Sequence, residues 1–474
     1  MGVRVRSTIL LLAALLVSGS ARAQIISIPE ADSLFLEAVR VFEAQRYAEA
    51  AGQFSRVSAS YPLHRYTTAA AFMEARSLYR VGAYGRAAAA WEAFLRTYPS
   101  SRYRVDAERG RRLALDAQAA QENTPVTLGV LLSLAPDEAT ITQAVFNGIR
   151  IAVESHNSVP NARPVRMVFR DINSGGVSAA MRGLAEQDAA VVIGALFSDQ
   201  ALEAAAEAER LGVVFVSPLA TDPGVASGRE FAFQANPSIR RRGELMARFA
   251  VNGLRLRELG VLAQRDDENV SVEMGQAFAE EARRMGAEVR FVEVLPNRAD
   301  WFRVGAHISS DSLRSVRAVY APLAGAGTDQ LAGGLLASLD DALGTVAPGD
   351  LASVRVLGNA AWHDLPIVGQ ASRYVVTYSN DYFFDEATDR ALAFTRRYRT
   401  LTGATPDRLN VVGYDLTHFV LESIHSDDPA GIRDALRSAP AFEGLGTRIH
   451  FAGGQVNQQM FYHRYRNGQV ELMR

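Results

Sequence analysis

The chain has 474 residues, too many for one small domain and enough for two or three. At 48% hydrophobic residues it can bury a sizeable core, and a net charge of −2 excludes the strongly basic surface that nucleic acid or an anionic membrane requires. With no cysteine it has no disulfides, no thiolate nucleophile, no cysteine-based metal site and no residue for lipidation behind a cleaved leader.

The chain begins "MGVRVRSTILLLAALLVSGSARAQ". Arg4 and Arg6 form a basic start, and Ile9 to Val17 an apolar run shorter than the ~20 residues that span a bilayer. Ala21, Arg22 and Ala23 then make a small-x-small cleavage site before Gln24. Residues 1–23 therefore read as a secretory signal peptide, and the mature protein is expected to be periplasmic or otherwise extracytoplasmic. No later segment reads as a transmembrane helix.

Residues 24–118 lack strand signals and repeat themselves. Phe42, Tyr47, Ala50, Phe54, Tyr61 and Pro62 recur as Tyr79, Tyr84, Ala87, Trp91, Tyr98 and Pro99, every offset being 37 residues. Self-similarity at that period marks a helix-pair repeat. "AQRYAEAAGQFSRVSASYP" and "VGAYGRAAAAWEAFLRTYP" resemble the second half of tetratricopeptide repeats. A third helix over about 101–118 is expected to cap them. This region reads either as a spacer or as a docking surface for a protein partner. Residues 119–124 read as a polar linker.

From Pro125 strands alternate with helices: "VTLGVLLSL", "ITQAVFNGIRIAVESHN", "VRMVFRD", and onward. That alternation predicts parallel sheets with helices on both faces. About 350 residues of it suggests two lobes, the first over about 125–236 and 372–445, the second over about 237–371 and 446–474.

The stretch "VVIGALFSDQALEAAAEAERLGVVFVSPLATDP" (Val191 to Pro223) makes one pattern twice. An apolar β-branched strand ends in small or hydroxylated residues. Ligands of parallel α/β sheets bind at the carboxyl ends of the strands, beside helix N-termini with free N–H groups. Small residues there let a ligand reach the backbone, and Ser198 and Thr221 add hydroxyls. Helix capping accounts for the same residues.

Residues 125–474 resemble the type I periplasmic binding proteins, in their leucine/isoleucine/valine-binding branch. The resemblance rests on "AVFNGIRIAVESHN", "VFRDINSG", the 191–223 stretch, "FAFQANPSIRRRGELMARFAV" and "GATPDRLNVVGYDLTHFVLESI". It implies two doubly wound parallel sheets joined by three crossings and closing on a ligand, here preceded by an all-α helical-repeat domain. It also implies that backbone and hydroxyl groups at Ser198, Ala220 and Thr221 hold the ligand. The sequence departs from that pattern at "RDDENVSVEMG", which lacks an aromatic, and in the segment after "VRVLG", where the family often has an acidic residue for the ligand's amine and this chain reads "NAAWHD". Asp199 adds a carboxylate beside the expected anion site. Asp266, Asn269, Asn359, Trp362 and His363 are the candidates on the facing lobe.

Nothing in the sequence points to catalysis. "GLGTRIHFAGG" does not open a helix after a strand, so it is no dinucleotide fingerprint. The eight histidines lack metal-ligand spacing, and no G-x-S-x-G elbow occurs. The expectation is a non-enzymatic binding protein without cofactor or metal, taking a small polar solute, amino-acid-like or amide, between its lobes, in transport or sensing. The domain order also resembles the outer-membrane activators of penicillin-binding proteins, which implies a regulator of peptidoglycan synthesis acting through protein contacts.

Overall fold

The computed structural model describes residues 28–160, 162–345, 350–424 and 428–473. The expected signal peptide and its cleavage site lie outside them. Contacts divide the chain after Thr124 into two units.

The first unit holds five helices: α1 (Pro29–Glu43), α2 (Tyr47–Ser60), α3 (Thr67–Arg80), α4 (Tyr84–Thr97) and α5 (Arg104–Asn123). The 37-residue repeat is visible in the backbone itself. Arg46 and Ala83 precede α2 and α4 with φ/ψ of −81°/64° and −80°/61°. Tyr61 and Tyr98 end those helices at −130°/66° and −126°/59°. Ala50 and Ala87 are fully buried, and Phe54 and Trp91 fill equivalent places in two small cores. The 119–124 stretch is not a linker: α5 continues to Asn123. "AAQEN" contains good helix formers and no breaker, so the helix runs until Pro125 disfavours it at the preceding residue.

In the second unit, one sheet has the order β2-β1-β3-β4-β5 and is parallel throughout. Its strands are β1 (Val126–Leu132), β2 (Val165–Asp171), β3 (Val191–Gly194), β4 (Val214–Ser217) and β5 (Ala232–Gln234). β1, β3 and β4 are buried along their whole length, as strands covered by helices on both faces should be. Gly194 closes β3 at φ 142°, where a Cβ would collide with the Leu131 carbonyl. The helices beside this sheet include α6 (Ala139–Asn157), α7 (Val177–Ala185) and α8 (Ser198–Leu211).

The other sheet has the order β14-β13-β10-β9-β8-β6-β7. Five parallel strands, β6 (Glu258–Gln264), β7 (Glu288–Leu295), β8 (Ala318–Tyr320), β9 (Arg355–Gly358) and β10 (Thr377–Asn380), carry an antiparallel hairpin of β13 (Phe461–Arg466) and β14 (Gln469–Met473). Helices α9 (Ile239–Arg248), α10 (Val270–Arg284), α11 (Ser310–Arg314), α12 (Thr328–Leu343) and α13 (Val368–Arg373) accompany it. α14 (Asp389–Thr402), α15 (Arg408–Ser423), α16 (Pro429–Ser438) and the short pair β11 (Phe442–Glu443) and β12 (Arg448–Ile449) follow β10. α15 lies against α6 through facing glycines: a Cβ on Gly148 would strike the Asn410 carbonyl, and one on Gly413 the Val145 carbonyl.

Two expected lobe limits move. β10 pairs with β9 and β13, so the second lobe extends to Asn380, not 371. Ile449 and Phe451 pack into the first lobe's core, Phe451 lying 4.9 Å from Phe233, so the last crossing comes after them and not at 446. The crossings are thus near Gln234–Ser238, Asn380–Tyr382 and Asn457–Phe461. Among the described residues, no helix is long and apolar enough to cross a membrane.

Candidate ligand site at the strand ends

The repeated strand endings are sewn together. Ser198 is the first residue of α8, and its Oγ accepts the backbone N–H groups of Thr221 and Asp222, both at 3.2 Å. Ser217 donates to the Ala195 carbonyl at 2.9 Å and accepts the Ala220 N–H at 3.3 Å. Gln234 Nε2 donates to the carbonyls of Ala220 (3.2 Å) and Asp222 (2.9 Å), and Asn236 Nδ2 to that of Leu219 (3.0 Å). The Thr221 carbonyl accepts the N–H of Ile239, which opens α9 in the other lobe, at 3.0 Å. The loop after β4 is therefore held rigidly, but its backbone donors are already used. Ala220 is buried. These side chains do the work of neither a simple cap nor a backbone ligand cradle.

What stays open is the start of α8. Its preceding residue, Phe197, is extended and its side chain makes no capping bond. The first-turn N–H groups have no partner within the helix, and the helix dipole adds partial positive charge. Ser198 itself lies in that turn, and half-buried Thr221 is tied to it through its backbone N–H. Asp199, exposed on the first turn, balances part of that charge. Asp222 spends Oδ1 on the Gly224 N–H at 2.7 Å.

The opposite lobe answers differently from expectation. Asp266 caps α10: Oδ1 accepts Glu268 N–H (3.2 Å) and Val270 N–H (3.0 Å), and Oδ2 accepts Ser271 N–H (3.0 Å). The Asn359 amide makes a two-way bond with the backbone of Leu323, at 3.1 and 2.8 Å. Trp362 is fully buried, its Nε1–H donating to the Ala321 carbonyl at 2.9 Å. In this structure, then, backbone groups engage both polar side chains, and the indole is enclosed in the core. Asn269 sits in a left-handed turn (φ 55°) before α10 without capping it. His363 is exposed, with Nδ1 2.7 Å from the Tyr378 hydroxyl.

Glu273, in the first turn of α10, was not foreseen. Partial burial and the nearby Asp222 charge push its carboxyl above the usual range, against a smaller opposing pull from Arg240. α10 packs closely on α9, where a Cβ on Gly243 would strike the Met274 carbonyl, and α9 itself opens at the Thr221 carbonyl of the β4 loop. A sequence offers no sign of the shift at Glu273, because that residue also fits an ordinary exposed helix position. Among the described residues no group of three or more histidines or carboxylates could hold a metal ion.

A family model described as periplasmic binding protein matches residues 125–469. The chain belongs to that family. A second model, described as outer membrane lipoprotein, matches residues 29–173, taking in all five helices of the first unit. Among solved structures, a protein described as a branched-chain amino acid ABC transporter from Rhodospirillum rubrum superposes with TM-score 0.59 at 19% identity, over 74% of this chain and all of that one. An ABC transporter substrate-binding protein from Desulfitobacterium hafniense gives 0.52 at 18%, again over 74% of this chain and 100% of the other. A periplasmic ligand-binding protein from Burkholderia xenovorans gives 0.50 at 14%, over 74% and 94%. At these identities the likeness is one of fold. No curated protein gives a significant match. In this periplasmic binding protein, then, the two-lobed fold lies entirely within the second unit, and the helical unit is an addition in front of it.

Proposed function

We propose that this periplasmic binding protein holds a small polar solute between its lobes, without chemically changing it. The observation that carries the reading is the open start of α8. First-turn N–H groups, the Ser198 hydroxyl and the Thr221 hydroxyl suit a carboxylate or amide oxygen. Asp222 and Glu273, on facing lobes, suit an amine or amide N–H of the same solute. Amino-acid-like compounds and amides fit both ends. Calorimetric titration with amino acids, amides, short peptides and peptidoglycan fragments tests this. Absence of any binding, with cellular function intact in the Ser198→Ala/Thr221→Ala double variant, would sink it.

A second reading rests on the first unit, whose helices leave Leu36, Val105, Leu113 and Leu115 exposed, with Leu63 90% exposed in the loop before α3. In this reading these apolar side chains meet a protein partner, a penicillin-binding protein that the chain activates from an extracytoplasmic location. Pull-down with purified cell-wall synthases, comparing parent and Leu63→Glu, tests it. Equal recovery would count against it.

A further inference from the structure

All three crossings converge on a small cavity of about 20 Å³, room for one water molecule and far too little for a solute. Asn236 and Pro237 line it from the first crossing, Asp381 from the second and Asn457 from the third. Asp381 lies just beyond the end of β10, and its side chain is 6% exposed. One of its oxygens, Oδ2, receives two guanidinium groups, Arg242 at 2.7 Å and Arg408 at 2.8 Å. Arg242 belongs to α9 in the second lobe, and Arg408 opens α15 in the first. Burial raises the Asp381 carboxyl, but the two arginines outweigh it and hold the group below the usual carboxylate range. It is an anion shared between lobes.

The same guanidinium nitrogen of Arg242 also donates to Asn236 Oδ1 at 2.7 Å, and Asn236 Nδ2 holds the Leu219 carbonyl at 3.0 Å. Leu219 lies in the loop that Ser198 fastens. A short run of bonds therefore joins Asp381 to the candidate ligand site. Meanwhile Asp381 Oδ1 is buried and meets no hydrogen-bond partner. Both cations crowd one oxygen while the other is left over. A buried charge pair is most favourable when every lone pair is used, so this arrangement leaves room for a different lobe angle that would engage Oδ1.

We propose that Asp381 is a positioning residue. It sets the resting angle between the lobes and, through Arg242 and Asn236, the placement of the Leu219–Asp222 loop. The consequence for solute affinity rests on the ligand-binding reading above, whereas the effect on lobe angle does not.

The absence of cysteine permits a direct test on the full chain. Spin labels at Glu186→Cys on the first lobe and Arg283→Cys on the second, both exposed positions, report the interlobe distance without any solute. Asp381→Asn should shift and broaden the distance distribution, and Asp381→Glu should restore part of it. Asp340→Asn is the control. It loosens a comparable ion pair, with Arg373 at 3.2 Å, that lies wholly within the second lobe, and should leave the distribution unchanged. Should Asp381→Asn fail to fold, Arg408→Gln removes only the first lobe's arm at a half-exposed position and should shift the distribution alone. An unchanged distribution in a folded Asp381→Asn or Arg408→Gln protein overturns the proposal. A shifted distribution in a protein that binds no solute upholds it while removing the ligand reading.

Discussion

Ser198 Oγ accepts the backbone N–H of Thr221 at 3.2 Å, fastening the start of α8 to the loop after β4 across 23 residues of chain. The hydroxyl oxygen also takes the N–H of Asp222, so Ser198→Ala strips two half-buried donors of their acceptor. Denaturant melts should show a loss of about 1–2 kcal/mol. Thr221→Ala removes a hydroxyl that has no partner among the described residues, so stability should hardly move. Solute affinity should fall in both, by ~0.5–1.5 kcal/mol for Thr221→Ala and by more for Ser198→Ala. Equal stability in the two variants would show that the Ser198 link contributes nothing.

Asp266→Ala should behave as a lost helix cap. Its three N–H acceptances sit at the start of α10, and such losses cost ~0.5–2 kcal/mol. Hydrogen exchange at Val270 and Ser271 should quicken. Solute affinity, measured by calorimetry, should stay within about twofold, an energy below 0.5 kcal/mol. A large affinity loss with normal stability would return Asp266 to the ligand.

The strand endings were legible because two buried β-branched runs stop abruptly at small residues, and this pattern reports sheet geometry directly. What those endings touch was not legible. Asp266 and Asn359 sit where a ligand contact would sit, but a polar residue at a strand end can equally satisfy local backbone, and only coordinates separate the two. Trp362 follows a strand by four residues, yet a single-turn helix at 360–362 folds it back over Gly358 into the core. β10 reads "TYSN", polar by type although every residue is buried, so its place in the second sheet was hidden. Asp381 stands in "SNDYFFDE", where nothing distinguishes it from a surface acid.

The fragment Pro125–Arg474 should fold alone, since both sheets and their cores lie within it. The fragment 28–124 has only two small cores of mostly alanine and should melt at lower temperature. Separate calorimetric scans check this. Cooperative melting of the helical fragment beside an insoluble Pro125–Arg474 would refute the division.

Tryptophan emission should be a poor reporter of solute binding. Trp301 and Trp362 are both fully buried in the second lobe, with Nε1–H bonded to Gln264 Oε1 at 2.8 Å and to the Ala321 carbonyl at 2.9 Å. With Trp91 and Trp301 replaced by Phe, the Trp362 spectrum should be that of a buried indole and stay unchanged on adding solute. Iodide should quench it weakly. A marked spectral shift would mean that Trp362 meets the cleft in a state unlike this one.

Stability should fall with acid well before the carboxylates titrate, because of two buried histidines, His463 and His418. His463 lies on β13, buried, stacked on Tyr378 at 5.3 Å and near Phe383 and His363. Neither ring nitrogen has a partner. Burial, with a smaller contribution from His363, pushes its pKa down to about 4. His418 is likewise pushed to about 4, first by burial and then by His156 and Arg390. A histidine whose folded pKa lies below its unfolded value of ~6.5 contributes full stability above pH ~6.5. Between ~6.5 and about 4 the unfolded chain takes the proton and the folded chain does not, so stability declines. Each pKa unit corresponds to ~1.4 kcal/mol, so His463 alone should lower stability by roughly 2 kcal/mol at pH 5 relative to pH 7.5. Asp381, depressed rather than raised, should add its own loss only at more acidic pH. His463→Phe keeps the stacking and removes two unpaired nitrogens. It should raise stability at pH 7.5 by about 1 kcal/mol and flatten the slope between pH 6.5 and 5. Urea melts of the parent and His463→Phe at pH 7.5, 6.5 and 5 would show it. Parallel declines in both proteins would place the acid sensitivity elsewhere.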